Sequence, residues 1–386
     1  MTPPVITVRP KGVGRLRAGH PWVYRSDLSG EDAAAGLVRL ADERGQDLGT
    51  ALYSPHSEIR VRRLAPAGVM VDGAWWRGML ATALARRAGI ADSGYRVVHA
   101  EGDGLPSLVV DRYADVVVAQ FLSAGLEAVR DDVLAAIVAA LKPAGLLLRN
   151  DAPVRERERL PRETSLATGE VPERAPYTEG SLALAAAPWS GQKTGAFLDQ
   201  RENHALVGRL ARGRCLDAFC YHGGFALQLA AGGADSVTAL DTSLEALDML
   251  EEAAGRNGLS GLAAVEANAF DWLREAAAGR TRYDVVVVDP PAFARDKGAV
   301  PRALAGYKEL NLRAMHLLAP GGHLFTASCS YHVHRGEFFA MLADAAADSG
   351  RRMQLVSIHG ASRDHPELLT VPETGYLKAA LLRAAD

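Results

Sequence analysis

Four side chains able to grip a polar ligand recur through the C-terminal half of the chain: Asp217 in LDAFCYHGGF, Asp241 in VTALD, Asn268 in ANAF and Asp289 in VVVVDPPAF. Each closes or follows a short apolar run, so each belongs at the end of a strand. A carboxylate there can accept hydrogen bonds from both ribose hydroxyls, and Asp241 stands 24 positions after Asp217, a spacing suited to that task. It can equally cap the next helix, as can Ser243. Gly223 and Gly224 allow a tight turn into a helix whose N-terminal amides can face a ligand. The turn is not G-x-G-x-x-G, because Phe219 and Tyr221 stand where a dinucleotide pyrophosphate needs close backbone approach. A nicotinamide dinucleotide is therefore disfavoured. Asn268, with Ala269 and Phe270 after it, suits hydrogen bonding and flanking of an adenine. Asp289 precedes two prolines, which hold it in a rigid extended turn where a carboxylate can grip the edge of a planar base.

The three cysteines, Cys215, Cys220 and Cys329, are too few for a disulfide scaffold or a four-cysteine zinc site. Cys215 lies inside a strand and reads as core. Cys220 lies in the glycine turn and is expected to lend its backbone, whereas Cys329 follows the strand GHLFTAS. His204, His222, His332 and His334 have no metal-ligand spacing.

The elements that must hold these residues alternate strictly from about residue 191 onward. RCLDAF, VTALD, AAVEAN, YDVVVVDP, GHLFTAS and MQLVSI read as strands, with helices such as Leu244 to Asn257 and Leu304 to Leu318 between them. VVVV without polar alternation marks a central parallel strand. A doubly wound α/β domain follows, and such sheets bind ligands beyond the carboxyl ends of their strands. Residues 5 to 67 alternate apolar runs with turns, as a small β domain does. A second α+β unit follows, with a helix from Trp75 to Ala88, strands through VVHAEGDGLPSLVVDRYADVVVAQFL, an amphipathic stretch from Leu126 to Leu141, and the strand LLLRND. DAPVRERERLPRETSLATGEVPERAPYTEG is rich in Pro, Gly and charge and reads as an irregular connector. Three domains are expected: 1–67, 68–190 with the connector, and 191–386.

A chain of 386 residues exceeds one hydrophobic core, which excludes a lone binding module. Hydrophobic residues at 48% and charged residues at 23% suit a folded soluble chain with no membrane-spanning stretch. The start MTPPVITVRP has no basic segment followed by an apolar one, so a cytoplasmic location is expected. A net charge of -3 and a pI near 6.4 argue against wholesale coating of nucleic acid. Locally the balance reverses. Arg9, Lys11, Arg15, Arg17 and Arg25 fall in a stretch with no acid, which predicts a positive N-terminal face, although the excess of arginine also fits a GC-rich coding sequence.

Together, Asp217, Asp241, Asn268 with Phe270, and D-P-P-A-F at Asp289 to Phe293 resemble the ordered motifs of class I S-adenosylmethionine-dependent methyltransferases. GQKTGAFLDQREN from Gly191 to Asn203, SCSYHV after the fifth strand and HPELL…PETGYLK near the end resemble the ribosomal-RNA large-subunit methyltransferase I family, which makes 5-methylcytosine in 23S rRNA. KGVGRLRAGHPWVYRSDL resembles that family's PUA domain, an RNA-binding β barrel. The resemblance covers essentially the whole chain. It implies a PUA barrel, a central α+β domain and a C-terminal Rossmann-like domain, with S-adenosyl-L-methionine as cofactor and 23S rRNA as partner.

Carbon 5 of cytosine is not nucleophilic until a thiolate adds to carbon 6, and the resemblance gives that role to Cys329 and the grip on the base to Asp289. It puts Lys193 and Thr194 near the methionine end of the cofactor, packs Phe197 on it and pairs Asp199 with Arg201. The basic N-terminal stretch is expected to contact RNA through Lys11, Arg15, Arg17 and Arg25. Many RNA 5-methylcytosine enzymes carry a second cysteine after the motif-four proline; here Ala292 follows Pro291. The base that removes the carbon 5 proton is thus left open among Lys193, Asp199 and water. Two other readings compete: methylation of a base nitrogen through D-P-P, which needs no Cys329, and a non-catalytic RNA-binding assembly factor. A homodimer is also left open.

Overall fold

The computed structural model describes residues 3–30, 33–294 and 296–386. The chain forms two compact units, the first comprising Met1–Thr178, Ala186–Leu198 and Asp364–Thr374, the second Glu179–Ala185, Asp199–Arg363 and Gly375–Asp386.

The first unit holds two sheets. The N-terminal one has six strands, among them Val5–Val8, Gly36–Asp42, Asp47–Tyr53 and Val61–Ala65. Its alternation is plain in Gly36–Asp42, where Val38 and Leu40 are buried and Arg39 between them is exposed. The basic segment expected in this β domain is instead a helix, Pro10–Arg17, with proline in its first turn. Gly12 lets that helix lie close on the sheet, since a Cβ there would come within 2.7 Å of Val8 Cγ1. The second sheet has five strands, Gly94–His99, Leu108–Tyr113, Val116–Phe121, Gly145–Asn150 and Glu163–Gly169. The amphipathic stretch read over Leu126 to Leu141 lies in two helices, Ala124–Glu127 and Arg130–Leu141. Glu163–Gly169 corrects the reading of its segment as wholly irregular, because it pairs antiparallel with Gly145–Asn150. As an edge strand with no fully buried residue it has no apolar alternation to betray it.

The second unit is built on a seven-stranded sheet. In chain order its strands are Arg214–Ala218, Ser236–Asp241, Leu262–Glu266, Tyr283–Val288, Leu318–Ser328, Met353–His359 and Lys378–Ala384. In space the order is third, second, first, fourth, fifth, seventh, sixth, and the seventh runs antiparallel to both neighbours. All four valines of YDVVVV are buried, as a strand covered on both faces requires. The order reverses between Arg214–Ala218 and Tyr283–Val288, which pair with each other and start outward runs in opposite directions. In sheets of this topology ligands bind beyond the carboxyl ends of the strands at such a switch. Among the described residues no helix is long and apolar enough to cross a membrane.

Candidate active site

Asp217 sits one residue before the end of the first strand of this sheet and is fully buried. Its Oδ2 accepts from the Ala226 amide at 2.9 Å, in the first turn of helix Gly224–Ala231. Its Oδ1 has no hydrogen-bond partner among the described residues. Burial pushes the carboxyl up to about 7, against the pull of His204 and the Ala226 amide. The loop that follows turns through left-handed backbone at Phe219 (φ +71°), Tyr221 (φ +49°) and Gly223 (φ +84°). Two of those three carry side chains that resist the conformation, a form of strain concentrated at ligand-binding loops. A Cβ on Gly223 would fall 2.6 Å from Leu250 Cδ1, and one on Gly224 would collide with the imidazole of His204. His204 is buried, 2.8 Å from Glu179 Oε1 through Nδ1. Burial lowers its basicity, but Glu179, Asp217 and Asp289 overcome that and raise it.

Asp241 Oδ2 accepts from the Tyr221 amide at 2.9 Å and Oδ1 from the Ser243 amide at 3.0 Å. Each oxygen keeps a lone pair for a diol. Ser243 caps helix Leu244–Arg256 by accepting from the Ala246 amide at 3.3 Å, so its side chain serves the helix. Asn268 is likewise a cap: its Oδ1 takes the Phe270 amide at 2.9 Å, while the residue stays exposed at the strand end. Ala269 is buried in the core, which leaves only its backbone for a ligand. Phe270 is half-buried between Phe219 and Phe293, with ring centroids 6.5 Å and 5.9 Å away.

Cys220 gives its amide to the Leu240 carbonyl and accepts the Gly223 amide on its own carbonyl, both at 2.8 Å. Its thiol is buried and burial pushes it well above the usual thiol range. Its backbone groups shape the loop. Cys215 is core, as its place in a strand implied, and burial lifts its thiol to about 11.

Two loops carry the remaining chemistry, and their strands are neighbours, with Val288 opposite Thr326. Asp289 is half-buried and its Oδ2 accepts from Gln200 Nε2 at 2.8 Å. Gln200 Oε1 in turn accepts from Asn203 Nδ2 at 2.6 Å. Both belong to the Gly191–Asn203 motif but had no role on sequence grounds, and 89 residues separate Gln200 from Asp289. Cys329 is half-buried, its Sγ 4.0 Å from the Pro290 carbonyl oxygen. Asp199 Oδ2 accepts from the Tyr376 hydroxyl at 2.5 Å.

Lys193, Thr194 and Phe197 fall in the first unit. Thr194 is fully buried and donates to Asp111 Oδ2 at 2.6 Å, with the Tyr113 hydroxyl 3.0 Å away. Its hydroxyl is committed to that core. The Lys193 ammonium lies over the Phe197 ring, 4.4 Å from its centroid.

An unpartnered buried carboxylate oxygen, a carboxylate at the next strand end and an aromatic side chain beyond the third suit a ligand with a polar tail, a ribose and an adenine. This fold and site define a class I S-adenosylmethionine-dependent methyltransferase. The model of the S-adenosylmethionine-dependent methyltransferase family matches residues 154–383, and that of a PUA-like domain matches residues 6–66. A ribosomal RNA large subunit methyltransferase I from Pseudoalteromonas atlantica is 34% identical, with 98% of each chain covered, and one from Aeromonas hydrophila is 36% identical over 95% of each. The chain belongs to that family, and its cofactor is S-adenosyl-L-methionine. A methyltransferase designated SMU.776, complexed with SAH, has the same fold, at a TM-score of 0.85 and 20% identity over 100% of both chains. So does a SAM-dependent methyltransferase from Streptococcus mutans, at 0.83 and 19% over 99% of this chain and 100% of that one.

Proposed function

We propose that this chain methylates carbon 5 of a cytosine in 23S rRNA, with Cys329 as nucleophile and Asp289 holding the base. The observation that carries the reading is the approach of the Cys329 thiol to the D-P-P turn, 4.0 Å from the Pro290 carbonyl. A base gripped at that turn has a nucleophile beside its ring, which methylation of a base nitrogen does not need.

When bound, S-adenosyl-L-methionine supplies an electrophilic methyl group on a sulfonium. Asp241 would hold its ribose, Asp217 its polar tail, and Asn268 and Phe270 its adenine. Cys329 adds to carbon 6 of the cytosine through a new C–S bond, and the π electrons shift so that carbon 5 becomes the nucleophile. Asp289, oriented by Gln200, accepts from the exocyclic amine and favours uptake of a proton at the ring nitrogen as the thiolate adds. Loss of the carbon 5 proton to a base, with cleavage of the C–S bond, restores the aromatic ring and the thiolate. Large-subunit ribosomal RNA as substrate draws on the names of the relatives, the choice of carbon 5 on the Cys329 geometry, and RNA capture on the PUA-like domain, whose Lys11, Arg17 and Arg25 are exposed.

Cys329→Ala should abolish methylation of 23S rRNA while leaving cofactor affinity within about twofold. RNA carrying 5-fluorocytidine at the target cannot lose the carbon 5 substituent as a proton, so the unaltered chain should stay covalently joined to it on a denaturing gel. Activity retained in the alanine variant, or methyl groups recovered on a base nitrogen, would overturn the assignment.

A further inference from the structure

Ser330, the residue after Cys329, has every polar group engaged. Its amide donates to Ser328 Oγ at 3.3 Å. Its hydroxyl oxygen takes the amides of Phe293 at 3.0 Å and Ala294 at 3.2 Å, which fills both lone pairs. The hydroxyl hydrogen is then the one that bridges to the Tyr307 oxygen, 2.9 Å away. The Ser330 carbonyl accepts from Lys378 Nζ at 2.6 Å, and the same ammonium donates to the Tyr376 carbonyl at 2.8 Å. Lys378 opens the antiparallel seventh strand, opposite Ser328, and is only 5% exposed. A lysine so buried is rare unless its charge has a use. The motif PETGYLK that supplies it has no part in the chemistry derived above.

We propose that Ser330 and Lys378 are positioning residues for the Cys329 thiol. Ser330 fastens the cysteine loop to the D-P-P-A-F turn, so that nucleophile and base-holding carboxylate keep one spacing. Lys378 sets a buried ammonium against the carbonyl of the residue next to Cys329, and a cation so placed favours a thiolate over a thiol. Other titratable groups on the surrounding elements are Tyr307 on helix Val300–Leu317, Asp289 on the D-P-P turn, His332 further along the cysteine loop, and the Asp199–Tyr376 pair. Of these, Asp289 and Asp199 oppose a thiolate; among the described residues His204, paired with Glu179, and buried Arg201 are further cations of this unit, and Lys378 is the one bonded to the carbonyl next to Cys329.

The inference rests on Cys329 being the nucleophile, and its test separates the two. Alkylation of Cys329 by iodoacetamide, followed across pH by mass spectrometry of its peptide, reports thiolate formation without RNA. In Lys378→Met the midpoint should rise by about one pH unit, a tenfold loss of thiolate at fixed pH. The kcat on 23S rRNA should fall at least about tenfold, with KM values within about twofold. Ser330→Ala should lower kcat without moving the midpoint. If Lys378→Met does not fold, Lys378→Arg keeps a cation and should keep the midpoint of the unaltered chain, while Tyr307→Phe removes one bond of the brace and should lower kcat severalfold. An unmoved midpoint in Lys378→Met, or a drop in melting temperature with kcat per folded molecule unchanged, overturns the proposal. Activity surviving Cys329→Ala would instead sink the nucleophile and leave the alkylation result standing.

Discussion

At the scale of single residues, Asp217 makes the sharpest prediction, because its carboxyl lies fully buried and is pushed up to about 7. A group whose folded pKa exceeds its unfolded one binds more protons when folded, so it favours the folded state at low pH and loses that advantage as pH rises. The window runs from about 4, the unfolded carboxylate value, to about 7. A rise of that size corresponds to at most about 4 kcal/mol, less where a protonated His204 shares the site. His204, whose basicity is raised, acts in the same direction, since its stabilising charge is lost as pH climbs. Denaturant titrations at pH 4.5 and 7.5 should therefore show the unaltered chain less stable at the higher pH, and Asp217→Asn should remove much of the difference. A pH difference unchanged in the asparagine variant would mean that Asp217 ionises as freely as an exposed carboxylate. The acids at strand ends were legible because each follows an apolar run in a recognisable order. Gln200, Ser330 and Lys378 were not, because their partners lie 89, 37 and 48 residues away and an uncharged or lone basic side chain gives no local sign of such a pairing.

At the scale of elements, the strained loop between the first strand and helix Gly224–Ala231 is where one atom matters most. Gly223 holds φ +84°, and an added Cβ would lie 2.6 Å from Leu250 Cδ1 and 2.7 Å from its Cγ. Gly223→Ala thus combines left-handed strain with overpacking of a fully buried leucine, together about 2 to 4 kcal/mol. Thermal melts should show a drop of several degrees, and calorimetry weaker S-adenosyl-L-methionine binding, because the amide of Tyr221 that Asp241 holds belongs to the same loop. Melting and affinity both unchanged would show that the loop tolerates a side chain there. Six of the seven strands around this loop were legible from apolar runs ending in polar residues. The seventh, Lys378–Ala384, escaped because KAALLRA is rich in helix formers, and only its place between two strands makes it extended. Helix Pro10–Arg17 was missed for the opposite reason: two glycines lower its helix propensity, yet Gly12 is what lets it sit against Val8.

At the scale of the whole molecule, the proposed action on RNA requires a chain of net charge -3 to concentrate its attraction somewhere. The N-terminal basic residues do not contribute alike. Asp27, buried just past the acid-free stretch, takes Arg15 at 3.0 Å and lies 3.9 Å from Lys11. Arg15 also covers the Tyr24 ring at 4.5 Å, so much of its charge serves the domain's own packing. Lys11, with 76% of its side chain exposed, and the exposed Arg17 and Arg25 remain for phosphates. Each phosphate contact releases counterions and adds about 0.7 to 0.9 to the slope of log affinity against log salt. Replacing Lys11, Arg17 and Arg25 together by glutamine should therefore lower that slope by about two for 23S rRNA, measured between roughly 50 and 200 mM salt, with S-adenosyl-L-methionine affinity and melting temperature unchanged. Arg15→Gln should behave differently, lowering the melting temperature because Asp27 loses its near partner, with little effect on the slope. A triple variant whose salt dependence matches the unaltered chain would make this basic stretch a solvated face and move the search for the RNA surface to another part of the first unit.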